Sequence, residues 1–204
     1  SIISTSGFED VPENENAIVI SNHRYFGDFF LLHRLAIEKR MLSFCRYFAK
    51  DSVKYIPIFG WGIYMMGHIM VKRNWNRDAN RINKTFRLFL RHKLPVWIVS
   101  YVEGTRFTDA KQQESHKFAQ DNKLPKLQNV LIPRTKGFIS AIEAFRNTSI
   151  LGNVYDCTLV YYHPKRGFGA TPSLLDICLG RLGEFRFHIH VDRIPVSSIP
   201  DNPE

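Results

Sequence analysis

Short apolar runs rich in β-branched residues alternate along the chain with segments whose apolar residues recur every three or four positions. The first pattern is typical of strands, and the second is typical of helices that pack by one face. The residues predicted as strands are 17–21, 43–48, 68–72, 96–102, 155–162 and 184–191. The residues predicted as helices are 28–40, 78–92, 114–122 and 137–146. This alternation predicts an α/β domain.

One long apolar stretch fits neither pattern. Residues 55–71 are 17 positions without Asp, Glu, Lys or Arg, which is the lower edge of the length that spans a bilayer. Pro57 and three glycines within it argue against one continuous helix. We therefore expect a buried or interfacial segment rather than a membrane span. Its aromatic residues, among them Trp61 and Tyr64, suit a core and a membrane interface equally well.

Length and composition are those of one folded domain. The chain has 204 residues, of which 44% are hydrophobic and 23% charged, and this excludes a disordered chain. It contains no internal repeat and no linker that would divide it. Because the sequence begins at Ser1 without a signal peptide, we expect residues 1–204 to be a single domain excised from a longer, membrane-anchored chain.

The charge and the cysteines narrow the class of partner. A net charge of +9 indicates an anionic partner, which could be nucleic acid, an acidic membrane face or a phosphorylated substrate. The basic residues are spread along the chain without a helix-turn-helix, zinc-finger or RNA-binding aromatic signature, so we expect no nucleic acid. Three cysteines without paired spacing argue against a disulfide scaffold and for a reducing environment.

The residues most suggestive of chemistry follow the first predicted strand. His23 and Asp28 stand five positions apart, with Gly27 between them. A neutral imidazole accepts a proton near neutrality, and a carboxylate that fixes its tautomer makes it a general base. Five residues of helix turn two side chains about 140° apart, so the pair meets only if His23 lies on a turn and Asp28 opens the next helix. Alternatively, Asp28 is only the N-cap of that helix and His23 is an ordinary loop histidine.

Two further polar clusters follow predicted strands. Lys72 and Arg73 follow residues 68–71, and the tetrapeptide 103–106 follows residues 96–102. Sites in open α/β sheets form beyond the carboxyl ends of the strands, so the three clusters are expected to converge. Arg73 and Arg106 each offer a planar donor fork suited to phosphate oxygens, although a single arginine is more commonly a solvated surface charge.

His188 and His190 have a spacing that could suit a metal site. His188 and His190 alternate with apolar residues and so fall on one face of a strand, as metal ligands could. Because no third ligand of suitable spacing accompanies them, we expect a half-buried strand and no metal.

Four blocks of the chain, in this order, are similar to those of a known family. They are Asn22-His23-x4-Asp28, Gly67-x2-Met70-Val71-x-Arg73, Glu103-Gly104-Thr105-Arg106 and Val130-Leu131-Ile132-Pro133. They resemble the blocks of the glycerolipid acyltransferases, a group that includes the 1-acylglycerol-3-phosphate acyltransferases. The motifs at residues 56–61, 73–75 and 131–138 look like those of the eukaryotic lysocardiolipin and lysophosphatidylinositol acyltransferase branch. Two departures are apolar: Tyr101-Val102 stands where the family usually has Phe-Pro, and Met70-Val71 replaces a commoner Phe-Ile.

The resemblance implies a fold and a reaction. The fold is α/β with a mixed, largely parallel central sheet flanked by helices, here as a single acyltransferase domain. His23 would deprotonate the free hydroxyl of a lysophospholipid, which attacks the thioester of acyl-CoA, and Asp28 would orient His23. The residues implied in substrate binding are Arg73, Glu103, Gly104, Thr105, Arg106 and Pro133.

The resemblance also implies partners and a place in the cell. Acyl-CoA is a co-substrate, no metal or other cofactor is expected, and the protein would work at a membrane surface, in the endoplasmic reticulum. Two other readings remain open. One is a non-catalytic basic module that binds anionic lipid or nucleic acid, and the other is a pseudoenzyme with this fold, which the intact His23 and Asp28 disfavour.

Overall fold

Strands and helices alternate through the computed structural model, which describes residues 2–72 and 74–200. The strands are β1 (Ile3–Ser6), β2 (Ala17–Ser21), β3 (Cys45–Lys50), β4 (Ile69–Val71), β5 (Trp97–Tyr101), β6 (Asn153–His163), β7 (Gly167–Phe168) and β8 (Arg186–Pro195). The α-helices are α1 (Asp28–Glu38), α2 (Phe59–Met65), α3 (Trp75–His92), α4 (Asp109–Asp121), α5 (Lys136–Phe145) and α6 (Leu174–Cys178). Short 3₁₀ helices cover Leu42–Phe44, Asp51–Tyr55, Arg181–Glu184 and Val196–Ser198.

All the strands belong to one sheet. Their order is β1-β8-β6-β2-β5-β3-β4, with β7 paired to β6. Among residues 2–72 and 74–200, five of the seven strand pairs are parallel, and the pairs of β6 with β7 and with β8 are antiparallel. The predicted mixed, largely parallel sheet is therefore confirmed. Because β2, β5, β3 and β4 run in the same direction, the residues that follow each of them meet at one edge of the sheet.

Helices bury both faces of the sheet. On one face α1 packs Leu32 and Leu35 against Val19, Trp97 and Tyr155. On the other face, α3 and α5 cover neighbouring side chains of the same strands, which include Ile18, Ile98 and Val154. Successive side chains of a strand point to opposite faces, so a strand buried on both reads as an unbroken apolar run. This is why the predicted strand at 17–21 has the bounds of β2.

Several predicted bounds were wrong, each for a local reason. The strand predicted from residue 43 starts at Cys45, because Leu42–Phe44 forms a 3₁₀ helix. The helix predicted from residue 114 starts at Asp109, where the Thr108 hydroxyl accepts a hydrogen bond from the Lys111 backbone N–H. The first turn after this cap is polar, so apolar periodicity does not indicate it. Four short elements, β1, α2, β7 and α6, were not predicted.

The apolar stretch 55–71 is divided among several elements. A 3₁₀ helix ends at Tyr55, α2 follows, and β4 takes the last residues, so the prediction that no continuous helix forms is confirmed. Across the described residues, no helix combines the length and the apolarity needed to cross a bilayer. Much of the stretch lies at the surface rather than in the core.

Candidate active site

His23 and Asp28 are in direct contact at the carboxyl end of β2. The Nδ1 atom of His23 lies 2.8 Å from Oδ2 of Asp28, and Nε2 has no hydrogen-bond partner among the described residues. The imidazole is 20% exposed, whereas the Asp28 carboxylate is fully buried. His23 lies on the turn and Asp28 is the first residue of α1, which is the geometry that the spacing requires.

The buried Asp28 carboxylate is surrounded by donors. Oδ2 accepts hydrogen bonds from the backbone N–H groups of Arg24 (2.8 Å) and Tyr25 (3.0 Å), and Oδ1 accepts one from the Tyr161 hydroxyl. The alternative in which Asp28 is an N-cap is wrong, because Gly27 occupies that position and Asp28 binds the loop before the helix. Donors on both oxygens fix the orientation of this carboxylate toward His23.

The loop that carries His23 is held to two neighbouring segments. The Glu103 carboxylate accepts the backbone N–H of His23 at 3.0 Å, and the His23 carbonyl accepts the N–H of Phe107 at 2.7 Å. The Asn22 side chain accepts from the N–H of Leu159 and donates to its carbonyl, as a paired strand would. The backbone position of His23 is therefore set by β6 and by the loop after β5.

Aromatic rings pack around the imidazole. Tyr101 stacks on His23 with ring centroids 4.2 Å apart and an interplanar angle of 17°. Burial raises the pKa of Tyr101, and that of Tyr47 beside it, well above 10. The buried hydroxyls of Tyr25, Tyr47 and Tyr101 have no hydrogen-bond partner among the described residues. The stacking leaves His23 little freedom to leave the Asp28 carboxylate.

His23 lines an open cleft with a volume of about 900 Å³. Part of its wall is apolar and comes from Phe48, Val71, Ile82, Phe118 and Leu131. Its basic side chains are Lys50, Lys111, Arg134 and Lys136, of which only Lys111 forms an ion pair among the described residues. A cleft with an apolar wall, free cations and a histidine suits a ligand that is partly apolar and partly anionic.

Most of the predicted binding residues gather in this cleft. Gly104, Thr105 and Pro133 line it together with Glu103. Arg106 is exposed and is not among the lining residues. Arg73 lies outside the described residues. The roles assigned to these side chains stay predictions.

Glu103 and Gly104 make local contacts that the sequence did not indicate. The buried carboxylate of Glu103 accepts hydrogen bonds from the backbone N–H groups of His23 and Leu131. Burial raises the pKa of the Glu103 carboxyl, while these two hydrogen bonds act to lower it. Gly104 has a φ of +67°, and a Cβ there would lie 2.9 Å from Cδ of Arg134. The glycine thus makes room for Arg134.

Three residues of this site were missed in the sequence. Tyr161 follows Asp28 by 133 positions, so no local pattern joins them. Tyr101 was noted only as an apolar exchange. Arg134 directly follows Pro133 in the fourth block, and its charge beside a predicted binding residue was a usable signal.

The histidines of β8 contact serines of the neighbouring strand β1. His188 binds the hydroxyls of Ser4 and Ser6 at 2.9 Å each, and His190 binds Ser6 at 2.8 Å. Within the described part of the chain, no group of three or more His, Cys, Asp or Glu side chains could hold a metal ion.

Comparisons with known proteins find a family model and several relatives that are similar to this chain. A family model described as acyltransferase matches residues 2–162. The probable 1-acyl-sn-glycerol-3-phosphate acyltransferase 5 of Arabidopsis thaliana is 35% identical over 193 residues, which are 95% of this chain and 49% of the relative. The 1-acyl-sn-glycerol-3-phosphate acyltransferase delta of Bos taurus is 32% identical over 190 residues, 93% of this chain and 48% of the relative. The chain thus spans about half the length of these curated relatives.

Proposed function

The chain belongs to the glycerolipid acyltransferase family, and we propose that it transfers a fatty acyl group from acyl-CoA to the free hydroxyl of a lysophospholipid. One observation carries the proposal. His23 lines the cleft, its Nδ1 is engaged by a fully buried carboxylate, and its Nε2 has no partner among the described residues. This is the arrangement of an imidazole prepared to take a proton from a bound ligand.

The first step is removal of the proton from the acceptor. Nε2 of His23 takes the hydroxyl proton of the lysophospholipid as the oxygen attacks the carbonyl carbon of the thioester. Asp28 keeps the Nδ1 proton facing its carboxylate and stabilises the imidazolium that forms. A hydroxyl acceptor with such a base attacks the donor directly, so no covalent acyl-enzyme is required.

The second step releases the thiol. The tetrahedral intermediate collapses with cleavage of the carbon–sulfur bond, and the departing thiolate takes back the proton held by His23. Atoms balance as one ester and one thiol formed from one thioester and one alcohol. The imidazole returns to its neutral form for the next turnover.

The phosphate of the acceptor is assigned to the basic side of the cleft. Arg134, Lys50 and Lys136 line it without an ion pair among the described residues. The family resemblance adds Arg73 and Arg106. Lysophosphatidic acid is the first acceptor to test, because the relatives are named for that substrate. The inositol and cardiolipin lysolipids of the resembling branch come next.

The apolar wall of the cleft is assigned to an acyl chain. Phe48, Ile82 and Phe118 supply apolar surface, and Pro133 borders it. Substrates with long acyl chains reside in bilayers, so we propose that the protein acts at a membrane surface. The endoplasmic reticulum stays the predicted location.

The test is transfer of radiolabelled acyl groups from acyl-CoA to lysophosphatidic acid by wild type and His23→Ala. We expect His23→Ala to lower kcat by about 10³-fold or more while the fold is retained. His188→Ala is the matched control, since that histidine does not line the cleft and, within the described ranges, hydrogen-bonds to Ser4 and Ser6 alone. Activity of His23→Ala within a few-fold of wild type would reject the general-base assignment.

The basic binding module is the second candidate, supported by the net charge of +9. If the protein were such a module, wild type and His23→Ala would bind an anionic ligand equally well, and neither would transfer an acyl group. Both would release the ligand as the salt concentration rises. The same assay therefore separates the two candidates.

A further inference from the structure

Exposed large apolar side chains are concentrated on the connection between β3 and β4. We call this group of side chains the α2 surface. Its members are Tyr55, Ile56, Ile58, Trp61, Tyr64, Met65 and Met66, each at least 47% exposed. Ile58 and Met65 reach 83%, and Trp61 reaches 63%. Isolated exposed apolar residues are ordinary, but seven within twelve positions form a patch that normally marks a binding surface.

The exposure follows from how α2 sits on the domain. Gly60 faces inward, where a Cβ would lie 2.1 Å from the carbonyl oxygen of Val53 in the preceding 3₁₀ helix. Gly62 faces outward, where a Cβ would meet nothing within 4 Å. One side of α2 is thus packed closely through a glycine, and the other side carries Trp61 and Met65 into the surroundings. Large apolar side chains are gathered on the side that packs against nothing in the described domain.

The charges around the α2 surface select the occupant. Residues 52–77 contain no Asp or Glu and four Lys or Arg. Lys50, Lys72 and Arg77, which flank the segment in the sequence, are exposed and form no ion pair among the described residues. Apolar and aromatic side chains bordered by free cations match an anionic lipid surface, where rings sit at the headgroup level. A second copy would instead bring the same cations face to face.

The position of the α2 surface relates it to the cleft. Lys50 ends β3 before the segment, and Val71 ends β4 after it, and both line the cleft that contains His23. The connection that carries the α2 surface therefore begins and ends at residues that line the cleft. A lipid could present its headgroup to the basic wall while its acyl chain stays near the membrane.

We propose that the α2 surface is the face by which this chain docks on an anionic lipid bilayer, with Trp61 and Met65 inserted at the level of the headgroups. Delivery of a lipid substrate from that bilayer to the cleft rests on the proposed function. Docking itself does not, because it depends only on the exposed side chains and the flanking cations.

The experiment is co-sedimentation of the 204-residue chain with vesicles of phosphatidylcholine, with and without phosphatidylserine. We expect binding to the mixed vesicles, weaker binding to phosphatidylcholine alone, and release as salt is raised. Trp61→Ser/Met65→Ser should lower the partition coefficient by about tenfold or more. Phe168→Ser is the matched control and should change binding by less than about twofold. Phe168 is 81% exposed on β7, which is separated from β3 by β6, β2 and β5.

A second readout protects the test against misfolding of the double variant. Brominated lipids should quench the fluorescence of wild type, and the conservative Trp61→Phe should lose most of that quenching. Equal vesicle binding by wild type and Trp61→Ser/Met65→Ser would overturn the proposal, as would absence of wild-type binding. A lipid-free dimer that the double variant abolishes would also overturn it, by identifying a second copy as the occupant.

The outcome is distinguishable from failure of the proposed function. Transfer to a short-chain, water-soluble acceptor should be the same in wild type and Trp61→Ser/Met65→Ser if docking is separate from chemistry. A wild type that binds vesicles and transfers no acyl group retains the docking surface and refutes the reaction.

Discussion

Replacement of Asp28 by Asn tests whether the buried carboxylate supports catalysis by its charge. Oδ2 of Asp28 accepts hydrogen bonds from His23, Arg24 and Tyr25. An asparagine oxygen can take over all three, and its amide can donate to the Tyr161 hydroxyl, which changes from donor to acceptor. The change therefore keeps the imidazole in place and removes the negative charge that faces it.

The magnitude follows from the contact distance. Two opposite charges about 4 Å apart in a protein with an effective dielectric constant of about 20 attract each other by about 4 kcal/mol. The amide oxygen still accepts the hydrogen bond from Nδ1, which retains part of this stabilisation of the imidazolium. A loss of about 2–4 kcal/mol in the transition state corresponds to a decrease in kcat of about 30-fold to 1000-fold.

The assay measures kcat and KM for acyl-CoA and lysophosphatidic acid, with circular dichroism as the check on folding. We expect kcat to decrease in Asp28→Asn and both KM values to change little, because the lost interaction forms only as His23 becomes charged. Asp176→Asn is the matched control, since that buried carboxylate binds Ser173 and Arg166 and should affect stability alone. A folded Asp28→Asn with kcat within about threefold of wild type would refute the role of the charge.

Two further predictions concern the cations and the histidines. Arg134→Ala should raise the KM for lysophosphatidic acid by about tenfold, whereas Arg106→Ala should raise it by less than about threefold, because Arg134 lines the cleft and Arg106 does not. Steady-state kinetics of the two variants tests this. A larger increase in KM for Arg106→Ala would indicate that Arg106 binds the phosphate instead. Burial, with the charge of Arg46, lowers the pKa of His68 to about 4, and its ring accepts the N–H of Tyr47. The unfolded chain binds this proton near pH 6.5, so the two pKa values correspond to a loss in stability of about 2 kcal/mol as pH drops from 7 to 5. Solvent screening of this partly exposed ring reduces the expected loss to about 1 kcal/mol, and the loss should be smaller in His68→Asn. Equal losses in denaturant titrations of both proteins would contradict this prediction.

The fold was predictable where burial is symmetric and the element is long. The run at Ala17–Ser21 is apolar throughout because helices cover both faces of the sheet, so its pattern marks a central strand. The strand Ile3–Ser6 has four residues and is held by β8, its partner more than 180 positions away. No window of the sequence contains that pairing. The helix Leu174–Cys178 did carry a signal, since Ser173 and Asp176 form a capping box.

The same distinction between local contacts and contacts between distant segments applies to the candidate site. His23 and Asp28 are near in sequence and meet through one turn, so their residue types and spacing predict the contact. The cations that line the cleft depend instead on how separate loops meet at the carboxyl ends of the strands. Arg106 was predicted to bind phosphate because it follows a strand directly and matches the family's third block, and that role stays a prediction. The turn at Gly104, with its φ of +67°, makes room in the cleft for Arg134, which comes from a loop 30 positions away. Under the proposed function, a change in the loop after Pro133 would therefore alter acceptor preference and leave His23 and Asp28 unchanged.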